Sequence, residues 1–229
     1  MDLKQKYASF LLSFIAGYVD TAGFIALAGI FTAHVTGNIV MVGAAVVEIQ
    51  KNSEIVSRLL LIPVFMLGVI LTSRILKILK GNDVQKLNMM FILQALLLFL
   101  FAFSDVFFSK TNSNLTIETR WIIEGSIGVL ALAIQNVYMK IVLSKMVPTT
   151  VMTGNLTGFS IELENLLSAI FFKTDKNTIN LLKIGNAILG FLAGAVFGAL
   201  CVCQFGLLCL LFPVFLLVLL VLYCNPIKI

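Results

Sequence analysis

Six stretches of this chain are too long and too apolar to leave any choice but a membrane. Residues 9–31, 57–79, 87–109, 121–144, 180–202 and 204–225 each reach the roughly 20 mostly apolar residues that a helix needs to cross a bilayer. The longest polar stretches, at 49–54, 80–87, 110–120 and 173–179, read as loops. Composition agrees: 60% of residues are hydrophobic and 12% charged, against about 25% charged in soluble domains. Too little polar surface remains for water to solvate, so the expected surroundings are lipid. The expected fold class is an all-α polytopic membrane protein, a single membrane domain over 1–229. MDLKQKYASF runs directly into the first apolar stretch with no small-residue cleavage site after a short core, which reads as a first span and not a removed signal peptide.

Two further apolar stretches, 38–49 and 155–171, begin at a repeated polar turn. TAHVTGN at 32–38 matches TTVMTGN at 149–155 in four of seven positions, at an offset of 117 in a chain of 229. The first stretch is 12 residues, about 18 Å of helix and half a bilayer. Positive charge favours both stretches re-entering on the side they came from. With six crossings and a cytoplasmic N-terminus, only Lys51, Arg58, Lys110 and Arg120 of the 16 basic residues fall outside, leaving 12 within. With eight crossings the split is 10 against 6, and the cluster from Arg74 to Lys86 lies outside. The reading is therefore six full transmembrane helices plus two re-entrant half-helices, with both termini cytoplasmic. Each half (1–112 and 117–229) then holds an odd number of crossings, so the two structural repeats are inverted, an arrangement found in many secondary transporters. The net charge of +5 reports this orientation and no nucleic-acid partner.

Non-helical backbone at membrane depth is tolerated where it is buried in protein or lines a watery cavity. Thr36, Gly37 and Asn38, with Thr153, Gly154 and Asn155, are expected to cap half-helices that start at the two asparagines. Their free N–H groups would converge on the bilayer centre, a site for an anion or a polar small molecule. The plain alternative is a capping turn between packed helices. Asp20, about ten residues into the first span, is the one acid near the middle of a long span. An intramembrane carboxylate is a functional candidate by default, here for a proton or cation. Its counterpart in the second half is Asn136, beside Gln135. His34 is the only histidine, but the second copy carries Val151 there, so it reads as a satisfied neighbour. Lys140 is expected to snorkel near a span end. Glu162 shares a helical face with Asn155. Glu48, Glu124 and Asp105 read as interfacial, and Cys201, Cys203, Cys209 and Cys224 as small buried hydrophobes.

No H-E-x-x-H, G-x-S-x-G, Walker or haem-attachment motif occurs, so no enzyme, metal or cofactor is expected. The function expected is a small permease for a polar or anionic solute, coupled to protons through Asp20. The alternative is a non-transporting scaffold or accessory subunit. A homodimer suits so small a transporter.

Gly17-Tyr18-Val19-Asp20, the stretch Gly29 to Asn38, Gln135-Asn136, and Thr149-Thr150 through Thr153-Gly154 resemble the YoaK family of bacterial inner-membrane proteins, a domain of unknown function. The resemblance runs along nearly the whole chain and implies a bacterial membrane protein of six or seven spans. Family members carry an arginine pair after the Gln-Asn motif, where this chain has Lys140 alone. They often carry Thr-Gly-Thr in the second copy, where this chain has Thr153-Gly154-Asn155.

Overall fold

The computed structural model describes residues 3–46, 52–110, 115–172 and 178–223; Glu48 and Cys224 lie outside them. Every regular element among the described residues is helical: α1 (Leu3–Ala26), α2 (Val35–Ala45), α3 (Asn52–Ile78), α4 (Asp83–Lys110), α5 (Ile117–Ile141), α6 (Met152–Phe171), α7 (Ile179–Phe205) and α8 (Leu211–Tyr223), with one 3₁₀ turn at Gly206–Leu210. Five segments are long and apolar enough to cross a bilayer: α1, α3, α4, α5 and the 44 residues of Ile179–Leu222. Large apolar side chains such as Leu59, Met66, Phe99, Leu192 and Phe215 remain exposed on their outer faces. In water that surface would be costly, whereas lipid tails accept it.

The 44-residue segment doubles back. Gly206, at φ +55, ends α7. Val202 and Gly206 stand beside Ile25 and Ala26. Cys209 then accepts a hydrogen bond from Tyr18 through its carbonyl, at 3.0 Å, and Phe212 packs on Phe14 and Tyr18. α8 thus retraces α1 in the opposite direction.

Chain directions follow from which residues meet. Gly190, Gly194 and Gly198 lie against the backbone at Phe10, Phe14 and Tyr18 respectively, so α1 and α7 are parallel. A Cβ on any of the three would strike a carbonyl oxygen of α1, and one on Gly17 would strike that of Phe191. Small residues every fourth position let two backbones approach this closely, which is how helices associate where lipid competes equally for apolar side chains. Leu61 meets Gly125 and Gly68 meets Leu130 and Ala133, so α3 and α5 are also parallel. Between these pairs the sense reverses. Gln135 of α5 bonds the Leu12 carbonyl of α1, while Gly125 faces Leu27 and Ile30. α1 and α5 therefore run antiparallel.

α2 and α6 begin inside the bundle and leave by the end at which the chain entered. α1 ends where Ala28 and Gly29 take left-handed angles, φ 50 and 83. Arg58, near the start of α3, donates to the Ala28 carbonyl at 3.0 Å. Between these two contacts the chain dips back to Thr32, which is fully buried between Gly23 of α1 and Gly128 of α5. α2 starts three residues later and returns to the end where α3 begins. α6 likewise starts beside Asn136. It passes Gly185 through Phe159 and reaches Asn180 through Glu162, so it runs against α7.

α2, of 11 residues, and α6, of 20, each start three residues before the expected asparagine, at Val35 and Met152. Asn38 does not cap α2 through its side chain. It reaches back instead, with Nδ2 donating to the Phe31 carbonyl and Oδ1 accepting from the Phe31 N–H, each at 2.9 Å. This side chain closes the seven-residue dip like a clasp, which frees Thr36 and Gly37 to enter the first helical turn.

Candidate functional site

The first turn builds its site around Asp20, which is 4% exposed. Its Oδ1 accepts from the backbone N–H groups of Thr32 at 2.8 Å and Ala33 at 2.6 Å, and lies 3.3 Å from the Thr32 hydroxyl. Its Oδ2 lies 2.5 Å from Nδ1 of His34. Two charge-assisted amide bonds and an imidazole are strong partners for a buried carboxylate. The backbone donors that meet this acid belong to Thr32 and Ala33, just before α2, and not to the first turn of the helix itself. His34 is thus a polar neighbour whose hydrogen bond goes to Asp20. Its side chain keeps 34% of its surface exposed. The imidazole stands edge-on between Phe191 and Phe31, at 5.5 and 6.1 Å between ring centres. A cleft of about 440 Å³ opens here, lined by Asp20, Thr21, Phe31, His34, Thr36, Gly37, Val40 and Phe191.

The second turn repeats the framework without the acid. Asn155 Nδ2 donates to the Pro148 carbonyl at 2.7 Å, the same seven-residue clasp that Asn38 makes on Phe31. Residues 31 and 148 are themselves 117 apart. Pro148 has no N–H, so only one leg of the clasp forms. The Thr150 hydroxyl donates to Asn136 Oδ1 at 2.6 Å, whereas at the matching position of the first turn the Ala33 backbone N–H donates to Asp20. Asn136 thus occupies the position of the acid, and its Nδ2 turns to the Leu132 carbonyl.

Gln135 has no freedom to meet a solute. Its Nε2 donates to the Leu12 carbonyl at 2.7 Å and the Thr149 hydroxyl at 2.9 Å, while its Oε1 accepts from Gln94 at 2.8 Å. Gln94 accepts in turn from the Tyr138 hydroxyl at 2.8 Å. All four side chains are fully buried. Gln94 escapes a reading of the sequence because it is a lone amide in an apolar helix with no repeat counterpart to mark it.

The two turns do not converge on one centre. Asp20 belongs to the first alone, and the second anchors at the level of Leu12. Eight helical residues separate these levels, about 12 Å along α1. Thr153 and Gly154 are exposed and do not line the Asp20 cleft. Lys140 is exposed near the end of α5. Glu162 accepts from Asn180 at 3.2 Å. Glu124, expected at the interface, is instead 3% exposed, and Cys203 faces outward while Cys209 is buried. The described residues hold no cluster of three or more His, Cys, Asp or Glu that would suit a metal ion.

The chain is 29% identical over 171 residues to the UPF0700 transmembrane protein YoaK of Bacillus subtilis (strain 168), covering 73% of this chain and 70% of that one. No solved structure matches it. The model of the family described as "Protein of unknown function (DUF1275)" matches residues 8–223, nearly the full length, and the chain belongs to that family of membrane proteins.

Proposed function

We propose that this protein is a small secondary transporter of two inverted halves, with six membrane crossings and two half-helices. In this reading it moves a small polar solute past the Asp20–His34 pair, and a proton exchanged within that pair couples the movement. The observation that carries the reading is the buried carboxylate joined to a partly exposed imidazole at the start of a broken helix, where both line one cleft. An ionisable pair at membrane depth is costly to keep unless it is used. Imidazole is the side chain whose ordinary titration range spans neutral pH. The opposed directions of α1 and α5, and the matching clasps on Phe31 and Pro148, support the inverted halves.

The test is uptake by proteoliposomes across a panel of small polar and anionic solutes, with and without a pH gradient. A transported solute whose accumulation follows the gradient is expected. Asp20→Asn and His34→Gln should each lower that uptake by about a hundredfold or more, the lower range for loss of a positioned proton-transfer group. Unchanged uptake in both variants removes the pair from the mechanism.

One observation favours a scaffold instead. The second turn is anchored at Thr149 in a fully buried network of Gln94, Gln135 and Tyr138, as a purely architectural joint would be. Absence of gradient-driven uptake for every solute on the panel would leave that reading standing.

A further inference from the structure

A second cavity lies at the end of the bundle where α1, α4 and α7 finish and α5 begins. It measures about 380 Å³, and its walls include Ile25, Trp121, Leu207, Asp105, Arg120 and Glu124. The arginine is largely committed. One Nη lies 2.6 Å from Asp105 Oδ1, and the guanidinium stands 5.7 Å above the Phe108 ring. Glu124 keeps one oxygen uncommitted. Its Oε1 has no hydrogen-bond partner among the described residues and comes no nearer to Arg120 than 3.9 Å. The Nε–H of Arg120 is buried and unpartnered as well. Native proteins leave few buried polar atoms unpaired, and a charged one is the most costly to leave so.

We propose that this cavity binds a small organic ammonium ion with a hydrogen-bond acceptor beside its nitrogen, the chemistry of an amino alcohol. With both carboxylates ionised against one guanidinium the site carries a single negative charge, which a monovalent cation neutralises. The ammonium donates to Glu124 Oε1, and the adjacent oxygen accepts from Arg120 Nε. Trp121 and the aliphatic walls take the carbon skeleton, and an aromatic face also attracts an ammonium. A bare metal ion is a poorer fit, because it needs a shell of oxygen ligands that these apolar walls do not supply. The site is independent of Asp20, which lines a different cleft.

Ethanolamine tests this directly. Thermal unfolding of the purified full-length protein in detergent is followed with rising ethanolamine hydrochloride, against sodium chloride at equal ionic strength. A saturable rise in Tm with ethanolamine, smaller with propylammonium and absent with sodium, is the expected result. Glu124→Gln keeps the shape and removes the charge, and should abolish the rise. Ala26→Leu fills the cavity while keeping the carboxylate, and should weaken it at least about tenfold in concentration. No rise with ethanolamine, or a rise that survives in both variants, overturns the proposal. Propylammonium matching ethanolamine overturns the role given to Arg120 Nε. Vesicles of phosphatidylcholine, with and without phosphatidylethanolamine, separate a lipid head group from a free solute: competition by the ethanolamine lipid identifies the former.

Discussion

Asn38 and Asn155 occupy the same place in two turns, yet one holds two backbone groups and the other a single one. A buried hydrogen bond contributes about 1 kcal/mol net, and more is lost when a partner is left buried and unpaired. Asn38→Ala should therefore destabilise the protein by roughly twice as much as Asn155→Ala, as read from thermal unfolding in detergent. Equal losses would mean that the clasps are not what closes the turns. The amide network gives a second case. Gln94→Leu leaves Gln135 Oε1 and the Tyr138 hydroxyl without their partners and should cost about 1–3 kcal/mol. Asp20 and the Thr-Gly-Asn turns are legible in the sequence because an acid in an apolar span, and a polar turn written twice, both stand out. The Asp20–His34 bond is not, because Val151 in the second copy argues against a special role for His34. Glu124 misleads for a related reason. Its place near a span end suggests water, whereas it is 3% exposed and faces a cavity that Val202, Gly206 and Leu207 also line.

Among the elements, hydropathy locates nearly every helix, since length and apolarity are what lipid selects. It misses the starts of α2 and α6 by three residues each, because an asparagine that would cap a helix and one that reaches back to clasp a loop look alike in one dimension. The glycine ladder at 190, 194 and 198 makes a prediction at this scale. Gly194→Leu must push α7 away from the Phe14 carbonyl, and overpacking of this kind costs about 1–3 kcal/mol. The same substitution at Gly43, whose Cβ would meet nothing within 4 Å, should be close to neutral. Equal effects at the two positions, read as Tm, would show that the ladder is not under close contact.

For the whole molecule, the antiparallel course of α1 and α5 sets the sidedness of the loops. In a cysteine-free background, Tyr7→Cys and Lys80→Cys should react with a membrane-impermeant maleimide from one side, and Thr116→Cys from the other. A path in which α2 and α6 cross fully would instead place Tyr7 with Thr116. The sequence falls short here in a physical sense. Charge counting distinguishes sides but carries no information on depth, so it could not show that the two turns stop about 12 Å apart.

The glycine ladder also decides which regions of the molecule can travel together. It splices a helix of the first half to one of the second, backbone against backbone, while α3 and α5 are joined through glycines packed against side chains. Asp20 on α1 and Phe191 on α7 are consequently fixed to one beam, and His34 is held between them. Any rocking of this bundle must separate the two spliced beams from each other. It cannot divide the chain at its midpoint, because the seam there is already stitched across.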